Sequence, residues 1–175
     1  MIFAAAVAAV LAAAAVPVSM HAIERSRAWA ATRYLAGKAA EARIQAVRRA
    51  THVALRFEEG AGGITFSVVM DGNRNGVRTQ DIQNHEDPLL EPPARLSDLF
   101  PGMVIGLEDE AGAGDPVRFG SSGLLSFTPL GTSSSGTVYV RGRDGSQFAV
   151  RVLGATGRTR VLHYRPQSRE WTESF

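Results

Sequence analysis

The sequence predicts an α+β protein in which a long N-terminal helix packs on antiparallel β-sheets. Three observations predict it. Residues 2–20, IFAAAVAAVLAAAAVPVSM, are almost wholly apolar. Ala28, Ala31, Leu35, Ala39, Ala42 and Ala46 then recur at spacings of three and four, which puts them on one helical face. After Thr51 the period becomes two: Val53, Leu55 and Phe57 alternate with polar neighbours, and Ile64, Phe66, Val68 and Met70 repeat the pattern.

Residues 1–20 read as the transmembrane half of the helix, since about 20 apolar residues in helical form cross a bilayer. A secretory signal needs a basic stretch ahead of its apolar run, and none precedes this one. Pro17 lies inside the pattern and is expected to kink the helix there. Residues 21–50 read as the amphipathic half of the same helix. Its apolar stripe is made mostly of alanine, so whatever packs on it comes close. Gly37 is its weak point.

Residues 51–175 read as an antiparallel β domain. Its first two strands form a hairpin closed by EEGAGG. Residues 71–100 are rich in Asp, Asn and Pro and read as a long acidic loop, with a short helix in ARLSDLF. The runs MVIGLED, LLSFTP, TVYVRG, QFAVRVL and RTRVLHY read as further strands, separated by AGAGD, GTSSSG, RDGS and GATG.

The 175 residues include no cysteine, which excludes disulfides, thiol nucleophiles and thiolate metal sites. Net charge is only +2, but the charges are segregated. Seven basic residues between Glu24 and Arg49 face two acids, nine acids between Asp81 and Asp115 face Arg95 alone, and the chain turns basic again from Arg141. Such segregation suits polar contacts with partners or head-to-tail assembly. The plain alternative is a solvated surface.

An enzyme is not expected. His21, His52, His85 and His163 are scattered, with no metal or triad spacing, and the serines of SSG and TSSSG sit in Gly-flanked loops. No small-molecule substrate is expected either. The stretch DGNRNGVRTQD offers oxygen ligands at Asp71, Asn73 and Asn75, then Gly76, as the first half of an EF-type calcium loop does. The twelfth position, where a bidentate acid is needed, is Ile82, and Asp81 falls one place early. The favoured reading is therefore that Asx side chains cap their own turn. No cofactor is expected, and calcium is the one candidate. TGRTR, residues 156–160, is the other polar motif. Arg158 and Arg160 share a strand face, and Arg151 on the preceding strand is expected beside them. Together they suit a phosphate track, such as DNA offers. Arginines also guard exposed strand edges, and the aromatic interleaving of single-strand binders is missing beyond Tyr164 and Trp171.

Three stretches give the chain a family likeness: ARIQAVRRATHVALRF, DGNRNGVRTQD, and LLSFTPLGTSSSGTVYV with QFAVRVLGATGRTRV. In this order, behind an apolar helix with a proline near its end, they resemble the GspH/FimT family of pilin-like proteins. That family comprises minor pseudopilins of type II secretion systems and minor pilins of type IV systems. The resemblance implies a pilin-like fold. It implies partners that are other pseudopilins or pilins in a filament, and an anchor in the bacterial inner membrane with the body in the periplasm. DNA-binding members carry a Gly-Arg-x-Arg motif, which Gly157, Arg158 and Arg160 match. Family members also begin with a basic leader, Gly-Phe-Thr and Glu, cut after that glycine, with methylation. Here the chain starts about where the residue after that Glu is expected. Either the leader is encoded in the DNA upstream of the first codon, which is the favoured expectation, or this member has lost processing. The leader would restore the orientation that a basic cytoplasmic flank dictates.

Overall fold

The computed structural model describes residues 2–108, 111–112 and 114–173, with side chains from Ala22 onward. Helix α1 runs Ile2–Arg49. The expected membrane span and the kink at Pro17 lie outside the residues whose side chains are described. Among the residues whose side chains are described, from Ala22 onward, no helix is long and apolar enough to cross a membrane. The stripe read from the sequence is the packed face. Ala28, Ala31, Leu35, Ala39, Ala42 and Ala46 are all at most 1% exposed. Thr32, buried among them, donates its hydroxyl to the Ala28 carbonyl at 2.7 Å, which satisfies it without an outside partner. The helix passes Gly37 without interruption.

Strands β1 (Val53–Gly60) and β2 (Gly63–Met70) form the expected hairpin, with Phe57 opposite Phe66. The turn is tighter than EEGAGG suggests, because pairing continues to Gly60 and Gly63. Beyond it, the segment read as a loop holds more structure than expected. It contains α2 (Thr79–Gln83), β3 (Leu89–Arg95) and α3 (Leu96–Leu99), of which only α3 matches an expectation. Pro92 and Pro93 hid β3. A proline cannot donate to a strand ladder, so it argues against a central strand. β3 tolerates both because it lies at a sheet edge and its register against β2 shifts twice.

The remaining strands are β4 (Val104–Ile105), β5 (Val117–Arg118), β6 (Leu124–Phe127), β7 (Gly136–Arg141), β8 (Gln147–Leu153), β9 (Arg158–Arg165) and β10 (Glu170–Glu173). MVIGLED contributes only two strand residues, and β5 and β10 were not legible as strands. One sheet has the order β3-β2-β1-β6 and the other β10-β9-β8-β7-β4, with β5 also on β7. All pairings between these strands are antiparallel. The main core joins the α1 stripe to inward residues of both sheets, among them Leu55, Phe66, Leu125, Phe127, Phe148 and Val150. On the β3 side of α1, Lys38 donates to both carboxylate oxygens of Glu91, at 2.8 and 2.9 Å, and to Glu41 at 3.1 Å. The carboxylates hold its ammonium above the ordinary lysine range. This is the α+β architecture of a pilin-like fold, as expected.

Candidate functional site

Strand alternation gives the β8–β9 sheet two different faces. Phe148, Val150 and Val152 point into the main core. Tyr139, Ala149 and Leu162 form a separate apolar cluster on the outer face, with Leu107 and Trp171 packed on it. Residues of the 106–118 segment cover part of this face. Trp171 Nε1 donates to the Ala111 carbonyl at 3.2 Å, and the Arg118 guanidinium lies 4.9 Å from the Tyr139 ring centroid.

The three arginines read from the sequence occupy the uncovered part. Arg151 is directly opposite Arg160 across the β8–β9 ladder, and Arg158 is opposite Leu153. Directly paired residues share a face, so Arg151, Arg158 and Arg160 lie together, all exposed. Arg160 reaches Glu173 at 3.5 Å. Among the described residues, no acid pairs with Arg151 or Arg158.

The turn before them is fixed by Gly157. Its φ is +60°, a left-handed conformation that favours glycine. A Cβ there would also stand 2.5 Å from the Gly131 carbonyl oxygen. Arg43 of α1 clamps the same place by donating Nε–H to that carbonyl at 2.9 Å. The result is a groove of about 420 Å³ between α1 and the β8–β9 turn, walled by Ala40, Ile44, Val47, Arg48, Gly157 and Arg158. Ile44 and Val47 are half exposed, and Arg48 has no acidic partner among the described residues. Arg48 was visible only as one of several arginines off the helix stripe. Its place beside Arg158 follows from the packing of α1, which periodicity does not encode.

The calcium candidates are arranged differently. Asp71 is buried, and its two carboxylate oxygens accept the backbone N–H groups of Arg74 at 2.7 Å and Gly76 at 2.8 Å. Asp87, also buried, accepts those of Gly72 at 2.9 Å and Arg78 at 3.1 Å. Asn73 caps Asn75 N–H through Oδ1 and donates to Asp81 and Glu86. The N–H groups that point into this loop would oppose a cation, while they stabilise the carboxylates already there. Among the described residues, no group of three or more His, Cys, Asp or Glu is placed to hold a metal ion. Asp87 escaped the sequence reading, because nothing in its local pattern shows that it returns to the 71–78 turn.

His21 lies outside the residues whose side chains are described, and the other three histidines stay apart. His52 Nδ1 is 3.3 Å from Asp71 Oδ2. His85 lies in a turn at φ 63°. His163 stacks against Phe148 at 4.8 Å. Burial lowers the His163 pKa below the ordinary 6.5, and the charges of Arg25 and Arg165 lower it further.

A long helix packed along two antiparallel sheets defines the pilin-like fold. The family model for type II transport protein GspH matches residues 31–157, and the chain belongs to this family. The match covers α1 from Ala31 onward and continues through the Gly157 turn. It makes the chain a component of the secretion and pilin-like class, a family of structural, membrane-anchored subunits. Neither a curated protein nor a solved structure matches the chain.

Proposed function

We propose that the chain is a minor pseudopilin of a type II secretion system. The N-terminal half of α1 anchors it in the inner membrane, and the β body lies in the periplasm. There it joins other pseudopilins in a short filament that drives protein export mechanically, without catalysing a reaction. One observation carries the reading. The GspH match begins at Ala31, close to where the buried stripe of α1 begins at Ala28, so family likeness and body packing start together. Before Ala28, the described helix residues add nothing to the core and are available to the membrane and to neighbours. The test is export in a strain lacking this gene. The full chain should restore secretion. Pilus formation restored without secretion would overturn the reading.

A second reading rests on the β8–β9 register. Arg151, Arg158 and Arg160 on one face suit a phosphate backbone, as in a type IV minor pilin that binds DNA for uptake. Affinity of the full chain for a duplex oligonucleotide should then fall with salt. Arg158→Ala with Arg160→Ala should reduce the log–log salt slope by about 2. Binding without salt dependence, or unaffected by the double variant, removes this reading.

A further inference from the structure

The end of the body from which α1 leaves toward its N-terminus is basic. Three segments meet there. Gly142 of the β7–β8 turn abuts Ala28 of α1, and a Cβ on it would lie 3.5 Å from that of Ala28. Trp29 of α1 packs on Phe148 at 5.9 Å, and Phe148 on His163 at 4.8 Å, which places the end of β9 beside the same helix turn. The charges of Arg25 and Arg165 both act on His163, as expected for residues at this end of the body. Around this junction Arg25, Arg27, Arg143, Arg165 and Arg169 are exposed.

Among the described residues, the acids nearby are largely engaged. Glu24 pairs with Arg27 at 3.0 Å, Glu108 lies 3.6 Å from Arg141, and Asp144 accepts from Ser146 within its own turn. Glu170 is exposed, next to Arg169 in sequence and directly opposite Arg165 across the β9–β10 ladder, but it forms no ion pair with either. Among the described residues, Arg25, Arg143, Arg165 and Arg169 have no acidic partner. Ile23, one turn or less from Arg25, is 51% exposed and apolar. Arg48 and the Arg158 groove lie at the other end of the described helix, about 35 Å away at 1.5 Å per residue.

We propose that this end of the body docks on anionic lipid headgroups of the membrane that anchors α1. The inference rests on the membrane reading given above. Arginine offers a planar fork of donors that matches a phosphate oxygen pair. Clustered basic residues next to a membrane-inserted helix are drawn to anionic lipid, and the attraction fades within a Debye length. Four arginines without an acidic partner among the described residues sit on three separate segments at this end of the body, and exposed Ile23 precedes them on α1 toward the membrane-inserted half. The body would thus be held upright on its base, leaving the groove at the far end free for other contacts. Arg25, which follows the apolar run, then serves as a lipid contact together with Arg143, Arg165 and Arg169.

The full chain is tested in nanodiscs of phosphatidylcholine alone and with added phosphatidylglycerol. Ser168→Cys, in the β9–β10 turn, provides a single labelling site because the chain has no cysteine. Energy transfer from this label to a dye on the lipid headgroups reports the height of the base. Transfer should be stronger in the discs with phosphatidylglycerol, and added salt should remove the difference. The difference should vanish when Arg25, Arg143, Arg165 and Arg169 are all replaced by Gln, and survive when all four become Lys. It should also survive Arg151→Gln with Arg158→Gln and Arg160→Gln. Equal transfer in both discs, or a difference that persists in the Gln variant, overturns the proposal. A chain that enters the discs but ignores lipid charge leaves the membrane reading intact. A chain that does not enter them overturns both.

Discussion

Two clusters of charge in this molecule use it in opposite ways. In the 71–88 segment, Asp71 and Asp87 are 3% and 2% exposed, and each carboxylate takes two backbone N–H groups. On the outer face of β8 and β9, Arg151, Arg158 and Arg160 are exposed, and among the described residues only Arg160 of the three reaches an acid. The first cluster holds the chain in shape, because desolvated carboxylates are stable only while their donors stay in place. The second contributes little to shape and is available to a partner. Residue type alone would have ranked them the other way, since an Asp/Asn/Gly loop looks more like a ligand site than scattered arginines do.

The sharpest way to break this comparison is at Asp71. Asp71→Ala removes two charge-assisted bonds and leaves the Arg74 and Gly76 N–H groups unpaired, so it should cost about 3 kcal/mol in denaturant unfolding. Asp71→Asn, which keeps an acceptor, should cost about half as much. A loss below about 0.5 kcal/mol for Asp71→Ala would show that the loop is solvated rather than built. We further propose that the loop needs no calcium. A chelator should leave the unfolding midpoint where it was, and a clear fall would reverse the assignment.

Lys38 is intermediate, being charged, partly buried and fully paired. Lys38→Met unties α1 from Glu91 on β3 and should cost about 1 kcal/mol. Its raised pKa means that the pair's contribution is complete below 10.5 and is lost as pH rises through the folded value. A stability profile unchanged by Lys38→Met on the alkaline side would discount the tie. His163 acts at the other end of the scale. Its folded pKa is lowered, so between that value and 6.5 the unfolded chain binds more protons than the folded one. Its contribution is present above 6.5 and lost as pH falls through the folded value. His163→Gln should flatten the acid side of the stability curve, and an unchanged slope there would contradict this.

The architecture was legible where one period ran long enough. The alanine stripe, the 53–70 hairpin and the β7, β8 and β9 runs all declare their faces, because one side is buried and the other is not. What stayed hidden depended on contacts distant in sequence. β3 carries two prolines and stands only because β2 offers it an edge. Asp87 looks like any loop acid until it meets Gly72 and Arg78. Of the candidate site, the shared face of Arg151, Arg158 and Arg160 followed from alternation plus one correct hairpin register. Arg48 did not follow, since a helix pattern says which residues leave the core but not what they stand beside.

The smallest expected effect tests the other half of the comparison. Arg151→Ala, Arg158→Ala and Arg160→Ala should each change stability by no more than about 0.5 kcal/mol. Arg151 and Arg158 lose no acidic partner among the described residues, and the 3.5 Å contact of Arg160 with Glu173 is solvent-exposed. Repulsion between the facing Arg151 and Arg160 should make the Arg151→Ala change neutral or slightly stabilising, and added salt should shrink even that difference. Denaturant unfolding at low and high salt separates these outcomes. A loss above about 1 kcal/mol at any of the three would mean that the face is structural after all. A salt-sensitive gain at Arg151 would show that the fold tolerates a repulsive pair there, which is the mark of charge kept for contact rather than for stability.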